Sequence, residues 1–422
     1  MKRAELLSPA GNFEKLKIAL AYGADAVYGG VSHFSLRIRS GKEFTYDSFE
    51  EAVKYTHGLG KKIYVTINGF PFNSQIELLK KHINKMAKMK PDAFIVASVG
   101  VIKLAKEIAP EIPLHLSTQA NVMNYLDAEV FYEMGIKRVV AAREISLNDL
   151  KEIKKHLPKL ELEVFVHGSM CFAYSGRCLI SSLQSGRVSN RGSCANDCRF
   201  PYTLYAHNEE NGTLFKVEED ECGTHIMNAK DLNLVSHLNE ILSSGVVDAL
   251  KIEGRTKSPY YVGITAKTYR EAIDDFYSGK FVPKRYEQEL DTTKSRGFSD
   301  GYLISRPYQK NDTINLAQSI SEGTHQVFAE VQDDGFSFLA KDRVDPNVEY
   351  ELVLPDTFGV EEVENNLGII REENGRFFIM FKELVSIKGN KVYSSIHSGN
   401  LNAIKLPVHL PPYTFFRRKV EG

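Results

Sequence analysis

Five cysteines lie close together in the chain, and they are the residues best suited to chemistry. They are Cys171, Cys178, Cys194, Cys198 and Cys222, all within the 52 positions from 171 to 222 of a chain of 422 residues. Thiolates bind soft metal ions and iron–sulfur clusters, and a single activated thiolate can act as a nucleophile. Because chance would spread five cysteines along the chain, their clustering predicts a shared metal-binding or redox role.

The spacing of the cysteines, C-x6-C-x15-C-x3-C-x23-C, distinguishes between kinds of metal site. Structural zinc sites use paired C-x2–4-C knuckles, and only Cys194 and Cys198 come close to one, so zinc is an alternative. Iron–sulfur clusters accept irregular spacing because their thiolates arrive from different loops. Catalysis by one cysteine with His167 as its base is a further alternative, which leaves the clustering unexplained.

Basic and aromatic residues accompany the cysteines. The segment 168–206 contains one acid, Asp197, against four arginines, namely Arg177, Arg187, Arg191 and Arg199. The whole chain has a formal net charge of -1, which argues against a general nucleic-acid binder. The local patch nevertheless suits an anionic small molecule or a phosphate backbone. Tyr174 and its aromatic neighbours could stack an unpaired base, or could simply pack within the loop.

Eight short apolar strands alternate with amphipathic helices in the first 280 residues, a pattern typical of a buried parallel sheet. The strands are predicted at 4–7, 26–28, 62–67, 93–97, 114–117, 138–141, 162–166 and 248–252. The helices are predicted at 13–22, 46–59, 74–89, 99–108, 126–134, 147–157 and 259–277. This pattern predicts a (β/α)8 TIM-like barrel. A doubly wound open sheet is the runner-up, and no Gly-x-Gly-x-x-Gly motif follows any strand to favour it.

Barrel enzymes place their active sites at the carboxyl ends of the strands, so polar residues there become candidates. They are Asn68, Gln119, Arg143, Glu144, His167, Glu253 and Arg255. We name His167, Glu253 and Arg255 as candidate catalytic residues, because His167 and Arg255 flank the cysteine-bearing segment. Asn68, Gln119 and Arg143 are candidate substrate-binding residues. The alternatives are that the two amides satisfy neighbouring backbone and that Arg143 pairs with Glu144.

The chain is predicted to divide into a barrel (1–279), a connecting arm (280–324) and a small antiparallel β-barrel domain (325–422). The cysteines belong to a long excursion between the seventh and eighth barrel strands, with a β-hairpin predicted around Asn211-Gly212. From about His325 the sequence changes to short alternating runs separated by Asp-Gly, Asp-Pro and Asn-Gly turns.

The segment Met1 to Pro9 meets charged Glu5 before any apolar run of signal-peptide length, and no later segment is long enough to span a membrane. We therefore expect a cytoplasmic protein without a membrane partner. Thiols stay reduced in that compartment, so clustered cysteines favour metal ligation over disulfides.

The cysteine segment resembles the signature of peptidase family U32, the collagenase-like proteins. The matching residues are Glu163-x-Phe165-x-x-Gly168-Ser169-Met170-Cys171-x4-Gly176-x-Cys178-x-Ile180-Ser181. The opening Glu5-Leu-Leu-Ser-Pro-Ala-Gly11, the segment Gly-Ala-Asp-Ala-Val-Tyr28-Gly-Gly30 and Lys251-Ile-Glu-Gly-Arg255 also resemble this family. The resemblance therefore extends over the whole barrel.

The resemblance implies one of two activities. Some relatives carry a protease or collagenase label. Others are oxygen-independent hydroxylases with a 4Fe-4S cluster, which act on tRNA uridine with prephenate as donor, on ribosomal RNA cytidine or on ubiquinone. Length and domain layout are most similar to the tRNA branch, which implies tRNA, prephenate and sulfur or redox proteins as partners. A cluster that only braces an RNA-binding module is a third possibility, and the sequence makes no prediction of oligomeric state.

The cluster ligands carry over residue by residue. Cys171, Cys178 and Cys194 match family ligands, whereas the fourth is either Cys198 or Cys222. Many relatives have a cysteine directly after an Asp-Leu pair, where this chain has Asn233. The resulting hypothesis places the cluster at the barrel mouth, assigns the arginines to the anionic donor and RNA, and makes a wobble uridine the target.

Overall fold

The structure is a computed structural model that describes residues 2–31, 34–35, 43–170, 180, 184, 197–199, 204–207, 209–212, 214–217, 229–307, 323–355, 360–400 and 402–420. In chain order, the strands of the first part are β1 (Glu5–Pro9), β2 (Ala26–Gly29), β3 (Lys62–Ile67), β4 (Ala93–Val96), β5 (Leu114–Leu116), β6 (Ile136–Val140), β7 (Glu161–Ser169), β8 (Leu204–His207), β9 (Leu214–Val217), β10 (Asp231–Asn233), β11 (Ala249–Ile252) and β12 (Phe298–Ser299). The helices are α1 (Phe13–Ala21), α2 (Tyr46–Gly58), α3 (Ile76–Lys88), α4 (Val99–Ile108), α5 (Tyr125–Glu133), α6 (Leu147–His156), α7 (Leu238–Ser243), α8 (Pro259–Ser278) and α9 (Pro283–Leu290).

Strands β1 to β7 and β11 form a closed parallel barrel. Each of β1 to β7 pairs with the next in sequence, and β11 pairs in parallel with both β1 and β7. Glu5 and Glu163 both lie opposite Ala249 in these two ladders, so β11 closes the ring. The predicted (β/α)8 barrel is therefore confirmed, with the helices packed around it.

Helix α8 packs against the outside of the barrel, and local sequence signals define both of its ends. Ser258 accepts a hydrogen bond from the backbone N–H of Tyr261, and Pro259 occupies the first turn, where its missing N–H is tolerated. The helix ends at Gly279, whose φ of 72° is favourable for glycine. More than half of the helix is buried, because it packs against the barrel on one side and a second sheet on the other.

The interior of the barrel holds charged side chains beside a small apolar cluster. Leu6, Leu162 and Leu250 face the surrounding helices, so their alternating neighbours point inward. Among the inward residues, Glu163 accepts from Lys251 Nζ at 2.6 Å and from Arg138 Nη1 at 3.2 Å. Arg138 also bonds Glu5 at 2.7 Å and Glu161 at 2.7 Å. Buried charges require such pairing, since an unpaired charge in the interior is costly.

Two strands extend the barrel sheet beyond its ring. Strand β10 pairs antiparallel with the end of β7, with Asn233 opposite His167, and β12 pairs in parallel with β10. Neither strand was predicted, although β12 lies in the predicted connecting arm. The hairpin predicted around Asn211-Gly212 is present as β8 and β9.

The second part of the chain consists of antiparallel strands. Its strands are β13 (His325–Val331), β14 (Ser337–Ala340), β15 (Glu349–Val353), β16 (Val363–Glu364), β17 (Gly368–Glu373), β18 (Arg376–Phe381), β19 (Leu384–Val385), β20 (Val392–Tyr393), β21 (Ile404–Lys405) and β22 (Phe415–Lys419). The strand order is β16-β17-β18-β15-β22-β13-β14-β21, while β19 and β20 form a separate pair. Within the described residues, β16 and β21 do not pair with each other, so the sheet is an open half-barrel.

Strand β22 joins the second sheet to the barrel. Phe415 packs in the barrel's helix-side core, whereas Phe416 packs in the core of the second sheet. Arg417 is 2% exposed and reaches Glu289 of α9 and Glu351 of β15 at 2.5 and 2.7 Å. Both faces of this strand are therefore buried. No helix in the described part of the chain is both long and apolar enough to span a membrane.

Candidate active site

The amides at the ends of β3 and β5 meet at the mouth of the barrel. Asn68 Nδ2 donates to Gln119 Oε1 at 2.9 Å, and Ser117 Oγ donates to the same oxygen at 3.2 Å. Both amide side chains are buried. The structure thus brings together two residues that the sequence placed only on separate strands, and it fixes the orientation of the Gln119 amide.

Arg255, which follows β11, is held by two hydroxyl groups. Its Nη1 donates to Ser35 Oγ at 2.8 Å and to Thr66 Oγ1 at 3.1 Å. These two hydroxyls lie 2.7 Å apart, and Arg255 is 8% exposed. These two hydrogen bonds fix the position of the guanidinium group. Arg255 was predicted from the sequence, whereas Ser35 and Thr66 were not.

Gly30, which follows β2, allows the hydroxyl pair to approach. A Cβ at this position would lie 2.4 Å from Ser35 Oγ and 2.7 Å from Thr66 Oγ1. Both distances are shorter than a van der Waals contact permits, so any larger residue would displace the hydroxyls that hold Arg255. The Gly29-Gly30 pair in the sequence was the available signal for such a close approach.

Glu253, which also follows β11, lies beside Tyr28, a residue that was not predicted from the sequence to belong to the site. Tyr28 Oη donates to the backbone carbonyl of Ile252 at 2.9 Å and lies 3.2 Å from Glu253 Oε2. The Lys251 ammonium lies 4.4 Å from the centre of the Tyr28 ring. The carboxylate of Glu253 thus continues the chain of charged groups that fills the barrel. Tyr28 could have been predicted as a site residue, because it lies near the carboxyl end of β2.

Arg143, after β6, stacks over an inward-facing aromatic ring. Its guanidinium carbon lies 4.2 Å from the centre of the Phe165 ring, close enough for a cation–π interaction. The same two residues line a small cavity together with apolar side chains that include Leu232, Tyr302 and Leu303. The side chain of Arg143 remains half-buried, so part of its guanidinium is accessible.

His167 lies in an aromatic enclosure rather than in the open mouth. Its ring centre is 5.8 Å from Tyr261, 5.6 Å from Tyr269 and 5.5 Å from Phe298, and the residue is 1% exposed. Burial lowers the pKa of His167 to about 4, so the imidazole is neutral near pH 7. This position fits packing between β7 and α8 better than contact with a substrate.

Asn233 occupies the position where the resemblance led us to look for a cysteine. Its Oδ1 accepts hydrogen bonds from Tyr269 Oη and from the backbone N–H of Val235, both at 3.2 Å. Asn233 also lies opposite His167 in the ladder between β10 and β7. The amide therefore anchors β10 against α8.

Most of the predicted cluster segment lies outside the described residues. This applies to Cys171, Cys178, Cys194, Cys222, Tyr174, Arg177 and Arg191. Cys198 is half-buried in the single helical turn Asp197–Arg199, and the side chain of Arg199 also lies outside the described part of the structure. Among the residues that are described, no group of three or more His, Cys, Asp or Glu side chains is arranged to hold a metal ion.

The sequence profile of peptidase family U32 matches residues 11–313. The chain is 58% identical, over 100% of both chains, to "tRNA hydroxylation protein P" of Helicobacter pylori. It is 36% identical to the Escherichia coli protein of the same name, over 87% of this chain and 90% of that one. It is also 32% identical to a Porphyromonas gingivalis "Collagenase", over 76% of each chain. The chain belongs to peptidase family U32.

Proposed function

We propose that the protein is an RNA-modifying hydroxylase that acts on tRNA. The observation that carries this proposal is the 58% identity, over the full length of both chains, to a relative named for tRNA hydroxylation. Identity at this level extends through the barrel and the second sheet alike. It therefore favours the hydroxylase over the collagenase, to which the identity is 32%.

We further propose that the product is 5-hydroxyuridine at the wobble position and that prephenate is the hydroxyl donor. In this reaction the uridine ring exchanges a C5–H bond for a C5–OH bond and loses two electrons, and the donor supplies the oxygen and accepts those electrons. A dianionic donor suits a site with guanidinium groups at its mouth, because arginine binds carboxylates through paired hydrogen bonds. Arg143, which is half-buried, and Arg255, which is buried, are guanidinium groups that the structure describes at the barrel mouth.

The proposed cofactor is a 4Fe-4S cluster held by four of the five cysteines. Cys171, Cys178 and Cys194 are the first three proposed ligands, and Cys198 or Cys222 is the fourth. The donor set consists of soft thiolates, and the one described thiol, Cys198, is half-buried as a cluster ligand would be. When bound, such a cluster would supply one-electron redox chemistry.

The remaining site residues have distinct proposed roles. Asn68 and Gln119 form a fixed amide pair that can hydrogen-bond a polar edge of the donor or base. Glu253, with Tyr28 beside it, can accept or return a proton at Oε2. Arg177, Arg191 and Arg199 are proposed to contact RNA phosphates, and Tyr174 to stack on the target base. His167 is assigned to packing.

The decisive experiment measures nucleoside products. Protein purified without oxygen is incubated with prephenate and with tRNA that lacks the modification, and the digested RNA is analysed by mass spectrometry. We expect 5-hydroxyuridine only when both protein and prephenate are present, and a strong loss of product for Arg255→Met. Absence of the product from iron-replete protein that binds tRNA would refute the hydroxylase and leave the RNA-binding module.

A parallel experiment tests the cofactor and the peptidase alternative. We expect visible charge-transfer absorption and bound iron and sulfide in the wild type, and their loss in the variant Cys171→Ala, Cys178→Ala. The same two preparations are incubated with gelatin. Cleavage that survives in the iron-free variant would favour the peptidase, since it would require neither cluster nor RNA.

A further inference from the structure

A wide cleft separates the barrel from the second sheet beside the start of α8. One wall is formed by residues 256–261 and 292–294, and the other by residues 323–327 together with Lys341 and Lys419. The cavity volume of the cleft is about 1140 Å³, close to the upper end of the range for ordinary ligand pockets, which is about 1000 Å³. The cleft is also open to solvent.

Four lysines line the cleft, and they come from both walls. Lys257 and Lys294 belong to the barrel wall, whereas Lys341 and Lys419 belong to the sheet wall. Lys294 and Lys419 are exposed and make no ion pair with any described residue. Unpaired ammonium groups on both walls of a cleft produce a positive potential that attracts polyanions.

The acids in the cleft offset only part of this charge. Glu330 is buried and bonds Lys341 at 2.9 Å, and burial raises the pKa of its carboxyl group. The carboxylate of Asp342 accepts hydrogen bonds from Gln326 and from the backbone N–H of Arg343. Both acids lie on the sheet wall. The charges of Lys294 and Lys419 therefore remain available to a ligand.

The exposed residues that line the cleft carry mostly polar or cationic side chains, although carbon atoms make up the larger part of its accessible surface. Apart from Val420, the exposed side chains that line the cleft are hydroxyl, amide or ammonium groups, such as Thr256, Ser258 and Gln326. Protein interfaces depend on buried aromatic and aliphatic anchors at their centre. Lysines and hydroxyls instead are the usual contacts of sugar–phosphate backbones.

The wall of the cleft follows the candidate active site directly in the chain. Arg255 lies at the barrel mouth, and Thr256 and Lys257 follow it directly into the cleft wall. Two residues span at most about 7 Å, which is roughly the separation of neighbouring phosphates along an RNA strand. The cleft wall therefore begins within about one nucleotide length of Arg255 along the chain.

We propose that this cleft binds the sugar–phosphate backbone of the RNA substrate, so that the second sheet acts as one side of an RNA clamp. The proposal rests on the proposed function, since it assumes that RNA is the substrate. It gives the second sheet a role in substrate binding. Lys294 and Lys419 are the two residues whose charge the clamp depends on most.

The test compares two double variants of the full-length, anaerobically purified protein. Lys294→Glu, Lys419→Glu alters the cleft, and Lys151→Glu, Lys388→Glu makes the same change in charge at exposed lysines outside it. Binding of unmodified tRNA is measured by fluorescence anisotropy over a range of salt concentrations. Circular dichroism and iron content verify that all three proteins are folded and loaded.

We expect the cleft variant to bind tRNA at least about 10-fold more weakly at low salt, and its plot of log affinity against log salt to be shallower by about 1–2. The control variant should match the wild type in slope. Equal affinity and slope for the two double variants, with a wild type that hydroxylates tRNA, would overturn the clamp alone. A wild type that neither binds nor modifies tRNA would overturn the proposed function, and the clamp with it.

Discussion

Glu163 occupies the centre of the ionic chain inside the barrel, and its charge can be removed with little change in shape. The side chain is fully buried and accepts from Lys251 at 2.6 Å and from Arg138 at 3.2 Å. Glu163→Gln keeps an acceptor oxygen but leaves the Lys251 ammonium, which is 4% exposed, without its carboxylate. Removing one partner of a buried ion pair costs about 3–5 kcal/mol, and we expect this loss in the free energy of unfolding.

Replacing Lys251 should destabilise the protein less than replacing Glu163, because Glu163 keeps a second cationic partner when Lys251 is removed. Lys251→Met leaves Glu163 bonded to Arg138, which Glu5 and Glu161 also hold in place. The expected loss is then about 1.5–3 kcal/mol, the usual contribution of a hydrogen bond between charged groups. In the double variant both charges are absent. It should therefore be more stable than the sum of the single effects predicts, by at least about 2 kcal/mol.

The stability of the four proteins can be measured by urea unfolding, followed by circular dichroism and tyrosine fluorescence, since the chain has 20 tyrosines and no tryptophan. Glu152→Gln on the exposed face of α6 is the control, and its effect should stay within about 0.5 kcal/mol. Two results would refute the reasoning: strictly additive single effects, or a Lys251→Met variant less stable than Glu163→Gln.

Two further predictions concern His167 and Gly30. The pKa of His167 is about 4 in the folded protein and about 6.5 in the unfolded chain. As the pH falls from 6.5 towards 4, the imidazole therefore takes up a proton in the unfolded chain but not in the folded protein, which favours unfolding. The wild type should therefore lose about 2 kcal/mol more stability between pH 7 and pH 5 than the His167→Gln variant. Equal losses for the two proteins in urea unfolding would show that the pKa of His167 is not lowered in the folded protein. Gly30→Ala should reduce tRNA hydroxylation roughly 10- to 100-fold by displacing Ser35 and Thr66, whereas Gly100→Ala, in open space on α4, should remain fully active. Full activity of Gly30→Ala would show that the hydroxyl pair does not position Arg255 for the reaction.

The barrel could be predicted because its strands are continuous apolar runs that alternate with helical periodicity. Strands β10 and β22 could not be predicted in the same way. Strand β10 has three residues and exists because β7 pairs with it. Strand β22 shows no alternation, since Phe415 and Phe416 are buried on opposite faces and Arg417 is buried through its ion pairs.

The candidate site was predictable to the extent that it follows strand ends. Asn68, Gln119 and Arg255 were identified in this way. The hydroxyl pair of Ser35 and Thr66 could not be predicted, because the two residues lie far apart in the chain and come together only in the folded barrel. The location of His167 also depends on tertiary structure, since a register shift between β7 and β11 precedes its pairing with Ile252.

The central position of β22 has a consequence for the order in which the protein is made. This strand lies between β15 and β13, so the second sheet cannot complete its hydrogen bonding until residue 419 has left the ribosome. The last strand of the barrel ends at residue 252, which is synthesised roughly 10–30 s earlier at typical translation rates. Once β15 has been completed at residue 353, β13 and β15 each present an unpaired edge until β22 has been synthesised, about 3–13 s later. Nascent chains should therefore depend on chaperones most while the second sheet, rather than the barrel, is being synthesised.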